Sequence, residues 1–248
     1  MKVTYIEHSG FLLDTGDVYF LFDYYKGILP EFDKKKPLVV FVSHKHQDHF
    51  NPWIFSLADM HLDTLFVLAK GVPYKNLAVK FSKQLAAQGL NSILPLKKDI
   101  STIIMLSNGK ELKIRTLRST DEGVAFLLSY KDRIYYHAGD LNLWLLDGED
   151  EQENKNMEKK YFTEMEKLKE MDIEIAFVPL DPRLECNAYC GLKTFLSYTN
   201  CQCVFPMHFW GKYDIIDAFL ERYPEYTGIV KRITSKNQKF FIKKENLL

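Results

Sequence analysis

The sequence predicts an α/β protein in which two mixed β-sheets pack on each other with helices on the outside. Three observations lead to this fold class. Short strand-like segments dominate the start of the chain, strands and helices then alternate in both halves, and no Pro-, Gly- or Ser-rich linker interrupts the 248 residues. Because 46% of the residues are hydrophobic, the chain can bury one sizeable core. We therefore predict a single domain over residues 1–248.

The first half begins with short β-rich segments separated by Ser-Gly and Thr-Gly-Asp turn signals. Residues 38–43 (LVVFVS) are a nearly continuous apolar run, which is typical of a strand buried on both faces. Leu77, Phe81 and Leu85 recur four residues apart and predict one amphipathic helix over 74–88, ending at Gly89. The strands predicted in this half cover residues 3–6, 10–13, 18–23, 38–43 and 65–69.

The second half predicts a further block of strands and then an alternation of strands and helices. The charged run 147–160 (DGEDEQENKNMEKK) is interpreted as a solvated loop that leads into a helix over 157–171. Two shorter helices are predicted over 192–198 and 215–223. The strands predicted in this half cover residues 102–106, 111–117, 123–130, 133–137, 173–178, 203–206 and 239–243.

Composition excludes several classes of protein. Thirty-three basic residues balance thirty-three acidic ones, which argues against a nucleic-acid partner because such proteins carry a basic surface for phosphates. No run approaches the length of a membrane span, and the N-terminal residues lack the pattern of a signal peptide. The four cysteines are expected to be reduced. We therefore expect a cytoplasmic protein with a small-molecule substrate.

A cluster of histidines follows the predicted buried strand. Three of the seven histidines and one aspartate occupy residues 44–49 (HKHQDH). Neutral imidazoles and carboxylates are the preferred ligands of zinc and similar divalent ions. His44 and His46 are two residues apart and project to one side in extended backbone, whereas Asp48 and His49 belong to the following turn. The spacing predicts two metal positions that share one loop, and a surface cluster of polar turn residues is the alternative.

This H-x-H-x-D-H pattern after a hydrophobic strand resembles the metallo-β-lactamase superfamily, whose fold is a four-layer αβ/βα sandwich with a binuclear metal site along one edge. The resemblance extends over nearly the whole chain. It implies that Asp23 supports the histidine loop, that Asp140 bridges both metals and that His208 closes the second metal site. The metal ligands that it implies are His44, His46, Asp48, His49, Asp140 and His208.

One landmark of the family is missing. The loop 117–123 (LRSTDEG) has no histidine at the place where relatives usually have one. Asp121 is the candidate to supply an oxygen ligand instead, with Glu122 as the alternative. A second interpretation is that this loop caps a strand and binds nothing. Without such a ligand the first metal site keeps only His44, His46 and Asp140, which favours a single-metal protein.

The resemblance implies a metal-dependent hydrolase in which a metal-activated hydroxide attacks a small-molecule ester, lactone or phosphodiester. Zinc is the expected metal, as one or two ions, with manganese or iron as alternatives. Asp48 is a candidate to take the proton of the attacking water, and His8 is a candidate substrate contact. Arg183 follows a predicted strand and could bind a carboxylate or phosphate, or instead pair with Asp181 in a proline turn.

Two other functions stay open at this stage. The first is a metal-binding or sensing protein of the same fold that has lost hydrolysis, because the first metal site is incomplete. The second is a nuclease of the same superfamily, against which the balanced charge argues. His61 has no motif around it, and no role is assigned to it.

Overall fold

A computed structural model of the chain describes residues 1–242. It contains two mixed β-sheets, a short two-stranded sheet and flanking helices, which confirms the predicted α/β class. The chain divides into two compact units. Of the described residues, the first comprises 1–96, 106–109 and 235–242, and the second comprises 97–105 and 110–234. The prediction of a single domain stays a prediction.

The strands of the described residues, in chain order, are β1 (Lys2–Glu7), β2 (Gly10–Asp14), β3 (Tyr19–Phe22), β4 (Leu38–Val42), β5 (Thr64–Ala69), β6 (Ile93–Leu96), β7 (Ser101–Met105), β8 (Glu111–Arg118), β9 (Val124–Tyr130), β10 (Arg133–His137), β11 (Asp172–Ile173), β12 (Ile175–Pro179), β13 (Asn200–Cys201), β14 (Val204–Met207) and β15 (Lys239–Phe241). The α-helices are α1 (Leu57–Met60), α2 (Lys75–Phe81), α3 (Lys83–Gln88), α4 (Glu151–Glu166), α5 (Cys190–Tyr198) and α6 (Asp214–Arg222).

The first unit is built on a seven-stranded sheet in the order β15-β1-β2-β3-β4-β5-β6. Neighbouring strands run antiparallel from β15 to β3 and parallel from β3 to β6. All five residues of β4 are buried, as its continuous apolar sequence predicts. Because β3 and β4 are parallel neighbours, the residues that follow them lie at the same edge of the sheet.

The helix predicted over 74–88 is two helices, α2 and α3. Ser82 lies between them in extended backbone, with φ −135° and ψ 125°. Its hydroxyl accepts a hydrogen bond from the Leu85 amide at 3.1 Å, so Ser82 caps the second helix. The apolar spacing that predicted one helix is preserved across this break, which is why the sequence pattern did not reveal it.

The second unit is built on a six-stranded sheet in the order β14-β12-β10-β9-β8-β7. Strands β14, β12 and β10 are parallel, and the pairs from β10 to β7 are antiparallel. The separate two-stranded sheet pairs β11 with β13. The carboxyl ends of three adjacent parallel strands therefore meet at one edge, where α/β proteins place their ligand-binding loops.

The charged run in the middle of the chain is helical, so its interpretation as a loop is wrong over most of its length. Helix α4 begins at Glu151, because the Asp150 side chain accepts a hydrogen bond from the Gln152 amide at 2.7 Å and caps the helix. Acidic residues in the first turn stabilise the helix, because they lie at the positive end of its dipole. Lys155 also forms an ion pair with Glu151 at 2.5 Å. The helix ends at Glu166, before the predicted end at 171.

Several short elements were not predicted, namely β6, α1, β13 and the 3₁₀ turn Pro52–Ser56, and the strand predicted over 173–178 is divided between β11 and β12. The last strand, predicted over 239–243, ends at Phe241, and residue 243 lies outside the described residues. Within residues 1–242, every helix is too short or too polar to cross a membrane.

Candidate metal-binding clusters

The histidine loop, residues 43–49, follows β4 in the first unit. His44 and His49 are buried, and His46 is exposed. The ring centroid of His44 lies 4.6 Å from that of His46 and 4.1 Å from that of His49. The loop therefore brings its three imidazoles close together.

Asp23, directly after β3, holds this loop in place. Its carboxylate accepts hydrogen bonds from the Ser43 amide at 2.7 Å and the Ser43 hydroxyl at 2.6 Å, and it bonds Nδ1 of His49 at 2.8 Å. The Ser43 hydroxyl in turn lies 2.9 Å from Nδ1 of His44. A carboxylate at Nδ1 keeps the proton on that nitrogen, so Nε2 carries the lone pair that can bind a metal ion. This is the supporting role that the family resemblance implied for Asp23.

His8 and Asp48 lie beside His49 in the same unit. His8 occupies the turn between β1 and β2 with φ 58°, and its amide donates to the Tyr5 hydroxyl at 2.9 Å. Nε2 of His8 lies 3.3 Å from Oδ2 of Asp48. One ligand atom from each of His8, Asp48 and His49 lies within 4.8 Å of the other two. Sequence reasoning treated His8 as a substrate contact and missed this grouping, because no motif surrounds it.

The environment of Asp48 favours its ionised form. Burial by itself raises the pKa of this carboxyl, but the hydrogen bond from His8 and the electrostatic influence of the neighbouring His49 hold the pKa well below its ordinary value. Asp48 is therefore a carboxylate at neutral pH, which is the form that binds cations.

A second cluster, the Asp140 cluster, consists of Asp140, Asp181 and His208 in the second unit. These residues follow the parallel strands β10, β12 and β14. Nε2 of His208 lies 3.5 Å from Oδ1 of Asp140, and Nδ1 of His208 bonds Oδ2 of Asp181 at 2.7 Å. Trp144 and Trp210 stand edge-on to the His208 ring, each with its centroid 5.6 Å away. A carboxylate at Nδ1 and contacts with two indole rings thus orient His208.

Asp181 is the centre of this cluster, and sequence reasoning did not predict that role. It is fully buried and bonds Nε of Arg183 at 3.0 Å and Nη2 of Arg183 at 2.6 Å. Burial by itself raises the pKa of Asp181, but the His208 and Arg183 hydrogen bonds hold it well below its ordinary value. The Arg183 guanidinium also stacks on Trp210, 4.5 Å from the ring centroid. The structure thus shows the Asp–Arg pair of a proline turn, and anion binding by Arg183 stays a prediction.

A cavity of about 340 Å³ adjoins the Asp140 cluster within the second unit. Its lining combines acidic groups with an apolar wall made by Trp144, Leu146, Met157 and Leu184. Asp121 is exposed and lines this cavity. Among residues 1–242, Asp121 does not belong to a group of three or more ligand atoms within 4.8 Å of one another. Its role as a replacement metal ligand stays a prediction.

The donor chemistry of both clusters suits a divalent cation. Each cluster contains a buried imidazole whose Nδ1 bonds a buried carboxylate, His49 with Asp23 and His208 with Asp181. Metal-ligating histidines are typically oriented in this way. The remaining polar groups are carboxylates and imidazoles, which bind zinc, manganese and iron.

Comparison with protein families gives one match. The model of the beta-lactamase superfamily domain matches residues 2–155, which is more than half of the chain. A search of curated protein sequences found no match.

Solved structures with a similar fold include proteins of different activity. Igni18, a metallo hydrolase from the archaeon Ignicoccus hospitalis, is 19% identical with a TM-score of 0.61, and the match covers 98% of this chain and 99% of that one. The short form of human tRNase Z is 12% identical with a TM-score of 0.55, covering 98% of this chain and 100% of that one. The diiron beta-hydroxylase CmlA from Streptomyces venezuelae is 10% identical with a TM-score of 0.59, and the match covers 97% of this chain. The chain spans about half, 54%, of the length of CmlA. At these identities the likeness shows the fold alone.

Proposed function

The chain belongs to the beta-lactamase superfamily and has the metallo-β-lactamase fold, and from this premise we propose that it is a metal-dependent hydrolase of a small-molecule ester, lactone or phosphodiester. One observation supports this proposal above the others. In both clusters a buried carboxylate holds Nδ1 of a buried histidine, at 2.8 Å for His49 and 2.7 Å for His208. Such pairs are expensive to bury unless they serve a ligand or a structural bond network.

The proposed ligands come from both clusters, and they hold one or two ions. Zinc is the proposed metal, because imidazole and carboxylate donors suit it, and manganese and iron are the alternatives. The histidine loop supplies the imidazoles, and the family resemblance assigns the bridging role to Asp140. The full proposed set is His44, His46, Asp48, His49, Asp140 and His208, with Asp121 as a candidate addition.

A bound divalent cation lowers the pKa of a coordinated water to about 7 and stabilises negative charge on the attacked group. Asp48 is proposed to accept the proton of the attacking water, and His8, 3.3 Å away, orients its carboxylate. His8 and Arg183 are the proposed substrate contacts. The apolar wall that includes Trp144 and Met157 is proposed to hold the non-reacting part of the substrate and to exclude water.

Metal analysis and turnover test this proposal together. Purified protein is analysed for zinc, manganese and iron, and it is assayed on a panel of esters, lactones and phosphodiesters. His46→Ala and Asp140→Ala are each expected to lower turnover at least 100-fold and to reduce bound metal. Gln47→Ala, an exposed neighbour in the same loop, is the matched control and is expected to behave as the unmodified protein. Full turnover in both His46→Ala and Asp140→Ala would end the proposal.

A non-catalytic metal-binding protein is the second candidate. Among residues 1–242, Asp121 lies outside the groups of closely spaced ligand atoms, which favours this candidate because the first metal site is then short of one ligand. One metal ion per chain with no turnover on the whole panel would support this candidate. Cleavage of a single-stranded RNA included in the panel would instead assign a nuclease.

A further inference from the structure

A cavity of about 560 Å³ lies in the first unit, between the loop that follows β3 and the segment that contains α1. This volume falls within the range of small-molecule sites in proteins, about 300–1,000 Å³. Among residues 1–242, its lining includes none of the ligands proposed for the histidine loop. We call it the His61 pocket. The lining residues that define it are Tyr24, Phe32, Trp53, Leu57, Met60 and His61.

His61 is the unusual member of this lining. Only 2% of the surface of His61 is exposed, and neither ring nitrogen hydrogen-bonds to any of residues 1–242. The Phe32 ring stands edge-on to the imidazole, with the centroids 6.1 Å apart. A buried polar group without a hydrogen bond costs about 1–3 kcal/mol, so this histidine is an expensive choice for a purely structural position.

The walls of the His61 pocket are aromatic and apolar. Tyr24 and Trp53 lie with their ring centroids 5.7 Å apart, and Phe32 closes the side next to His61. Trp53 and Met60 line the pocket and are exposed, so the apolar wall continues to the protein surface. Aromatic walls of this kind favour a flat aromatic ring.

The charge of the lining and the hydrogen-bonding capacity of His61 restrict the class of ligand further. Glu31 and Lys34, both exposed, place one negative and one positive charge on the lining, so the pocket has no net charge to attract an ion. A neutral imidazole offers one donor nitrogen and one acceptor nitrogen, and a hydroxyl group can satisfy either.

We propose that the His61 pocket binds a small, uncharged aromatic molecule that carries a hydroxyl group. The ring packs against Tyr24 and Trp53, which line the pocket, and the hydroxyl bonds an imidazole nitrogen of His61. The Phe32 side chain, half-buried on an irregular loop, turns aside to let the hydroxyl reach that nitrogen. This site is independent of the hydrolase proposed above, since none of its residues belongs to the histidine loop.

Two probes that differ only in the hydroxyl group test this proposal. 4-Fluorophenol and fluorobenzene are titrated against the full chain at pH 7, and binding is followed by fluorine NMR of the probe. The phenol is neutral at this pH because its pKa is near that of tyrosine, about 10. We expect saturable binding of 4-fluorophenol, about fivefold tighter than that of fluorobenzene, which is the effect of one net hydrogen bond.

Variants test where the probes bind, and they separate the contribution of the hydrogen bond from that of ring packing. His61→Phe is expected to bring 4-fluorophenol down to the affinity of fluorobenzene and to leave fluorobenzene binding unchanged. It is also expected to keep or raise the urea midpoint of unfolding, because it removes an unsatisfied polar group. Trp53→Ala is expected to weaken both probes at least fivefold. Phe241→Ala removes an exposed aromatic ring outside the pocket and is expected to change nothing.

Three results would overturn the proposal. The first is the absence of saturable binding of either probe to the unmodified chain. The second is equal binding of the two probes together with no effect of His61→Phe. The third is unchanged binding in Trp53→Ala, which would place the probes elsewhere on the protein.

Discussion

Replacing Asp23 with asparagine is expected to weaken metal binding by the histidine loop while the chain still folds. The wild-type carboxylate is fully buried and accepts three hydrogen bonds, two from Ser43 and one from Nδ1 of His49. Asparagine has nearly the same size and tolerates the left-handed backbone at this position, where φ is 40°. The change therefore removes charge and one acceptor without creating a cavity.

The magnitude follows from these bonds. A hydrogen bond to a charged group contributes about 1 kcal/mol more than a neutral one, so three weakened bonds lower the free energy of unfolding by up to about 3 kcal/mol. The amide group of asparagine also donates where the carboxylate accepts. Nδ1 of His49 must then accept, which moves the ring proton to Nε2 and removes the lone pair that would bind a metal ion. We expect metal affinity to fall by about 10–100-fold.

Two measurements on the same protein check this prediction. Urea unfolding without added metal gives the change in free energy, and competition for zinc against a chelating dye gives the affinity. Asp132→Asn is the matched control, because Asp132 also has positive φ (61°) but is exposed. The reasoning is refuted if Asp23→Asn binds zinc as tightly as the unmodified chain, or if Asp132→Asn shows the same losses.

Three further predictions concern stability and rest on contacts outside the metal clusters. Asp59→Ala is expected to lower the free energy of unfolding by about 1 kcal/mol in urea, because this carboxylate accepts the first amides of α3 at 2.9 and 3.0 Å; an unchanged urea midpoint would exclude the capping role. Gly191→Ala is expected to cost about 1–3 kcal/mol in the same assay, because a β-carbon there would lie 1.8 Å from the Asn142 side-chain oxygen; a neutral result would show that Asn142 moves without cost. Burial raises the pKa of Cys201 and Cys203 from 9.0 to about 12, so their neutral form stabilises the fold below pH 9 and this contribution is lost as the pH rises from 9 to 12. In the double variant Cys201→Ala/Cys203→Ala, the urea midpoint is expected to fall less steeply between pH 9 and pH 12 than in the unmodified chain. Equal slopes in the two proteins would contradict this prediction.

The local pattern of the chain predicted much of the fold. The buried strand β4 was evident because five consecutive apolar residues leave no polar face, and the turn signals separated the first strands correctly. The pattern predicted the wrong helix boundaries where a hydrogen bond from a single side chain determines where a helix begins. Ser82 divides one amphipathic segment into two helices. Asp150 caps a helix inside a run whose high polarity predicted a loop.

The sequence by itself determined the histidine loop, since its imidazoles and Asp48 are neighbours along the chain and one turn suffices to gather them. Only the tertiary structure decided what surrounds them. Neither His8 nor Asp181 belongs to a sequence motif. His8 lies near His49 because a turn brings it there, and Asp181 lies near His208 because the ends of adjacent strands meet. Strand order is set by the packing of whole sheets, a property that short stretches of sequence do not encode.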